Sequence, residues 1–146
     1  MAELGASLAR ELRAGDLVLL NGELGAGKTT LTRGIGVALG VRGAVTSPTF
    51  VLARTHPRGN GAPLVHVDAY RLSSAVELDD LDVDFASSIV VVEWGAGLTD
   101  GITDDWLEID IERPHGGDEQ AEVEPRVVML TAHGTRWRDW VNAARD

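Results

Sequence analysis

Cysteine is absent from this chain of 146 residues. Its absence excludes disulfides, thiolate nucleophiles and thiolate zinc sites, and it suits a reducing compartment. No apolar run approaches the roughly eighteen residues of a membrane span, and no basic stretch followed by an apolar core opens the sequence. A soluble, cytoplasmic protein with no membrane partner is expected. Basic residues are scarce, 13 Lys and Arg against 23 Asp and Glu, for a formal net charge of −10. Gripping a polyanion requires a basic face that releases counterions, so any nucleic acid in the biology of this protein is expected to be held by a partner. The acidic residues concentrate at 77–84 and 104–124, where solvated surface is the plainest reading. Lysine is scarcer still: Lys28 is the only one, every other basic residue being arginine.

That lysine closes the run Gly22-Glu23-Leu24-Gly25-Ala26-Gly27-Lys28-Thr29, a full match to the phosphate-binding pattern G-x-x-x-x-G-K-[ST]. Chemistry explains why the composition yields here. Successive backbone N–H groups of such a loop cradle phosphate oxygens, and a slim ammonium on a flexible stem threads back to the β- and γ-phosphates as a point charge. A planar guanidinium fits that path poorly. The surroundings agree, because 16–21 is a short apolar run that reads as a strand and 29–39 reads as a helix with Leu31, Ile35 and Leu39 four apart. A nucleoside triphosphate is therefore expected on Glu23, Leu24, Gly25, Ala26, Gly27, Lys28, Thr29 and Thr30, with Lys28 exposed in the cradle. Thr29 is placed to ligate Mg²⁺, and Thr30 to reach the α-phosphate.

Leu4, Leu8 and Leu12 mark an amphipathic helix over 3–13 that ends at Ala14-Gly15. After a turn at 40–43, the segment 50–54 reads as a strand. The turn formers of 57–63 predict a long loop joining it, as a hairpin, to a strand over 64–69. A short acidic helix capped by Ser73 is expected through Leu81. The β-branched run 89–92 predicts a strand buried on both faces of a parallel sheet. Segments 106–111 and 126–131 alternate as half-buried strands, 114–125 reads as a flexible loop, and Trp137, Trp140 and Val141 mark a last helix. The chain is long enough to bury about two-thirds of its unfolded surface as one domain, 1–146. The fold class is α/β, a P-loop nucleotide hydrolase-like domain with a mostly parallel sheet, flanking helices and added antiparallel strands.

A phosphate loop needs a carboxylate at the end of a neighbouring strand to hold Mg²⁺. Glu93 ends the all-apolar run 89–92, where an unpaired acid is costly, so a metal or water-positioning role is assigned to it. Trp94 beside it is either core or a wall of the nucleotide pocket. His66 and Asp68 project from one strand face, opposite Val65 and Val67. For His66 a hydrogen-bonded structural role is slightly favoured. Asp68, at the strand's carboxyl end, is assigned to Mg²⁺ or to an attacking water. Arg71 reads as an ion-pair partner of Asp68, with an approach to phosphate as the alternative. The hydroxyls of Thr46-Ser47-Pro48-Thr49 sit where a switch segment senses a γ-phosphate, and Thr49 is included with the nucleotide contacts, a rigid turn being the alternative.

The succession of Gly22 to Thr30, Ser47-Pro48-Thr49-Phe50, His66-Val67-Asp68-Ala69-Tyr70-Arg71-Leu72, Glu77 and Val91-Val92-Glu93-Trp94 resembles the TsaE family, also called YjeE, over roughly residues 4–131. The resemblance implies a small bacterial ATPase needed for the threonylcarbamoyladenosine modification at position 37 of tRNA. It further implies ATP and Mg²⁺ as cofactors, and the TsaD–TsaB heterodimer as partner, tRNA being met only through it. Lys28 would hold phosphate, Thr29 and Glu93 would ligate Mg²⁺, and Asp68 would assist hydrolysis or metal binding. Gly95 stands where that family usually has Pro. Two alternatives stay open: a small-molecule P-loop kinase, though no stretch clusters arginines as a lid would, and a binding module switched by ATP. A GTPase is disfavoured, since no Asn-Lys-x-Asp motif is present.

Overall fold

In the computed structural model, the residues described are 2–22, 28–41, 53–59, 61–69, 83–93, 103–112 and 127–144. The elements are α1 (Ala2–Glu11), β1 (Leu17–Gly22), α2 (Lys28–Leu39), β2 (Ala53–Arg58), β3 (Gly61–Asp68), β4 (Ile89–Glu93), β5 (Trp106–Glu112), β6 (Val127–His133) and α3 (Arg138–Ala144). The strands form one six-stranded sheet in the order β2-β3-β4-β1-β5-β6. Its centre is parallel, β3 with β4, β4 with β1 and β1 with β5, while β2 and β6 add antiparallel at the two edges. This is the expected α/β class.

Alternation sorts the strand side chains onto two faces. Val18, Leu20, Leu64, Ile89, Val91, Leu107, Ile109 and Ile111 pack under the helices with Leu8, Leu12, Leu31, Ile35, Trp137 and Val141. Leu17, Leu19, Val65, Val67, Val90 and Val92 point to the opposite face, where Val83, Phe85 and Trp106 join them. Every residue of β4 is buried, as a central parallel strand demands. The helices α1 and α2 cross closely because Gly5 has no side chain: a Cβ there would stand 3.0 Å from backbone atoms of Gly34 and Ile35.

The segment after α1 is held by charge. Gly15 takes a positive φ of 93°. Asp16 accepts from the Arg13 N–H at 2.8 Å and pairs with Arg136 at 3.0 Å, and the same guanidinium donates to the Glu11 carbonyl. A cation on the last carbonyls of a helix complements the negative end of its dipole. Near α3, the Asp105 carboxylate accepts from the N–H groups of Thr135 and Arg136 at 2.6 and 3.1 Å. Those two hydrogen bonds hold its carboxyl below the ordinary carboxylate range.

One expectation is corrected. The turn formers of 57–63 do not make a long loop: β2 runs on to Arg58, β3 starts at Gly61, and Arg58 is in register with Gly61, so two positions connect them. Pro57 is tolerated because β2 is an edge strand and the register shifts between His56 and Arg58, freeing the strand from needing an N–H there. Pro63 precedes the first pair with β4, Leu64 with Ile89. Residues 50–52, the Ser73 helix and the loop 114–125 lie outside the described residues. No helix among the described residues is long and apolar enough to cross a membrane.

Candidate functional site

The strand β1 ends at Gly22 and α2 begins at Lys28, so the glycine-rich run joins the carboxyl end of a central parallel strand to a helix N-terminus. That end of a helix carries unpaired N–H groups and a partial positive charge, and the first turn of α2 holds no acidic residue to offset it. Thr29 is half-buried and Thr30 exposed in that turn. Thr32 is buried and turns its hydroxyl back onto the Lys28 carbonyl at 2.9 Å.

Lys28 is not exposed as expected. It retains 5% of its accessible surface, and its Nζ donates to the Gly22 carbonyl at 2.6 Å. The reason is geometric: the side chain leaves the first turn of α2 and lies back toward the end of β1. Burial lowers the ammonium pKa from its ordinary 10.5, while the negative charges of Glu93 and Asp68 act in the opposite direction. The lysine thus sits within the field of both carboxylates named from the sequence.

Register explains the company. Asp68 and Glu93 are Cα partners at the carboxyl ends of β3 and β4, and Leu20 of β1 partners Glu93 on its other side. His66, Asp68 and Glu93 all follow the parity of Leu64, Ile89 and Val91, which places them on the helix-covered face with Lys28. The Ala69 N–H donates to the Glu93 carbonyl at 2.8 Å, extending the ladder past the last pair. Glu93 is only 4% exposed, and its Oε2 is hydrogen-bonded to Nε2 of the fully buried His66.

The sequence reading named Lys28, Asp68 and Glu93, and the fold brings them together at one edge of the sheet. The hydrogen-bonded role favoured for His66 is also found, but its partner was not legible, since it depends on β3 lying beside β4. The Gly22 carbonyl as a lysine partner was likewise missed. Glu23, Leu24, Gly25, Ala26, Gly27, Thr49, Trp94, Arg71 and the segment 46–49 lie outside the described residues.

Two carboxylates and the Thr29 hydroxyl are too few to enclose a metal, and among the described residues no three His, Asp or Glu side chains form a cage. All-oxygen donors of this number suit Mg²⁺, which prefers one or two carboxylates and completes its shell with waters and phosphate oxygens.

A family model described as "Threonylcarbamoyl adenosine biosynthesis protein TsaE" matches residues 1–122. The chain belongs to the TsaE family. It is similar to the Streptomyces coelicolor "tRNA threonylcarbamoyladenosine biosynthesis protein TsaE", 60% identical over 141 residues covering 94% of this chain and 93% of that one. The Bacillus subtilis protein of the same name is 35% identical over 140 residues, covering 94% of this chain and 80% of its own. The fold is that of the Bacillus subtilis YdiB crystal structure, with a TM-score of 0.74, 28% identity and coverage of 99% of this chain and 88% of that one. Membership in the TsaE family ties this chain to tRNA threonylcarbamoyladenosine biosynthesis.

Proposed function

We propose that this TsaE-family chain is a Mg²⁺-dependent ATPase that supports the TsaD–TsaB complex in threonylcarbamoyl modification of adenosine 37 of tRNA. The observation that carries the reading is the convergence of Lys28, Asp68 and Glu93 at the carboxyl ends of adjacent parallel strands, beside a full phosphate-loop sequence. On this reading the Lys28 ammonium exchanges the Gly22 carbonyl for β- and γ-phosphate oxygens. The Thr29 hydroxyl and the Glu93 carboxylate would hold Mg²⁺, with Asp68 beside them. Held by these residues, Mg²⁺ would supply positive charge against the charge developing on the transferred phosphoryl group. Asp68, less buried than Glu93, orients a water whose oxygen attacks the γ-phosphorus in line as the bond to the ADP oxygen breaks. With no guanine-reading motif in the chain, ATP is preferred to GTP.

The two acids should fail differently. Glu93→Ala should weaken Mg²⁺-dependent nucleotide binding, whereas Asp68→Ala should bind nearly normally and hydrolyse slowly; matching titrations and rates for the two would remove this division. Hydrolysis measured alone, with tRNA, and with TsaD–TsaB tests the larger claim. The chain carries no evident arginine finger, and one supplied in trans is worth about 10³–10⁵ in rate, so a slow rate rising with the heterodimer is expected. Stimulation by tRNA alone, or full activity in isolation with no response to the heterodimer, would overturn the reading and favour a small-molecule kinase.

A further inference from the structure

The His66–Glu93 pair is interior: the imidazole is fully buried and the carboxylate nearly so. Holding an ionised acid there is costly without a hydrogen-bond donor aimed at it. In the ladder, His66 is paired with Val91 and Asp68 with Glu93, so the histidine is the diagonal neighbour of Glu93, two positions back on the same face. Its Nδ1 is buried and has no hydrogen-bond partner among the described residues. A proton on Nδ1 would be an unsatisfied buried donor, so the favoured tautomer carries its hydrogen on Nε2 and donates to Glu93 Oε2. Oε1 is then the remaining acceptor of that carboxylate.

We infer that His66 is a positioning residue: its Nε2–H fixes the Glu93 carboxylate so that Oε1 is presented to Mg²⁺ at the phosphate loop, and it thereby sets the metal affinity of the nucleotide complex. The inference rests on the reading of the site proposed above. Outer partners of metal-binding carboxylates orient them and exclude competing rotamers. The strand supplies this at no cost to Asp68, which stays next to Glu93 in register for its own task.

An isopolar pair of variants tests it. In His66→Gln the amide nitrogen reaches about as far as Nε2 and keeps a donor on Glu93; in His66→Asn the amide falls one methylene short. Calorimetric titration of ATP is run in EDTA and at rising Mg²⁺, alongside melting without nucleotide. H66N should require about tenfold more Mg²⁺ for half its full effect, the usual loss on removing such a partner, while its affinity in EDTA stays that of wild type. H66Q should keep the wild-type Mg²⁺ dependence. In a Glu93→Gln background, adding H66N should change nothing further. Wild-type Mg²⁺ dependence in H66N with only a lowered melting temperature would overturn the inference and leave a purely structural pair. Equal losses in H66Q and H66N would overturn it too. If H66N does not fold, H66Q decides: retained Mg²⁺ dependence supports the inference and a tenfold shift rejects it. Wild-type binding indifferent to Mg²⁺ would instead bring down the underlying reading, and this inference with it.

Discussion

Lys28 combines three conditions that seldom coincide: it is the chain's only lysine, it is nearly buried, and two carboxylates stabilise its charge against the desolvation that lowers its pKa. Lys28→Ala removes one charge-assisted donor, worth about 1.5–3 kcal/mol, so ATP binding should weaken at least about tenfold by calorimetry. Its far-ultraviolet circular dichroism should stay native, because the helices and strands around it are held by the apolar faces and not by this bond. His56 offers a separate reading. It is buried on edge strand β2, its Nε2 has no hydrogen-bond partner among the described residues, and its pKa lies below the ordinary 6.5, first through burial, then through the neighbouring His66 and Arg54. The unfolded chain therefore takes up a proton at a pH where the native state still resists it. Stability falls as pH drops below 6.5 and is regained above it. Replacing His56 by Gln should flatten that part of the profile, read as urea midpoints at about pH 7.5 and about pH 5.5. Lys28 was recognisable in the sequence because a phosphate loop is local and contiguous. The burial of His56 was not, since it depends on pairing with β3, where His56 lies opposite Leu64.

At the scale of elements, periodicity carried α1, α2, β5 and β6, and continuous apolar runs carried β1 and β4, for each signal lies within its own residues. The β2–β3 hairpin is found as expected but with a shorter loop, because Pro57 and Pro63 signal a turn locally, while an edge position and a bulge make both compatible with strands. The α1–α2 crossing was also illegible, Gly5 being indistinguishable in sequence from any surface glycine. Gly5→Ala forces a methyl to 3.0 Å from the backbone of Gly34 and Ile35, and backbone cannot swing aside as a side chain can. Overpacking of this kind costs about 1–3 kcal/mol, which should appear as a lower urea midpoint with an unchanged slope. Because α2 follows directly on the glycine-rich run proposed to hold phosphate, the same substitution should weaken ATP binding by calorimetry. A control substitution on the exposed face of α1, Glu3→Ala, should do neither.

For the whole molecule, charge and topology act at different ranges. A net charge of −10 disfavours association with a polyanion, so tRNA alone should show no saturable binding by fluorescence anisotropy at about 0.15 M salt. Adding the TsaD–TsaB complex should restore a tRNA-bound assembly containing this chain. Saturable binding of tRNA by the isolated protein would place a basic surface where the composition predicts none. The amino-acid sequence by itself determined the G-x-x-x-x-G-K-T run, the acidic balance, the buried run that becomes β4 and the α/β class, because each is written in neighbouring residues or in composition. Tertiary structure alone decided that β3, β4 and β1 lie side by side. That order sets Gly22, Lys28, His66, Asp68 and Glu93 at one edge of the sheet and hands the Glu93 carboxylate to an imidazole from another strand. The physical reason is that strand order and register are non-local: they are settled by which apolar faces pack beneath the helices, and no window of the chain contains both partners.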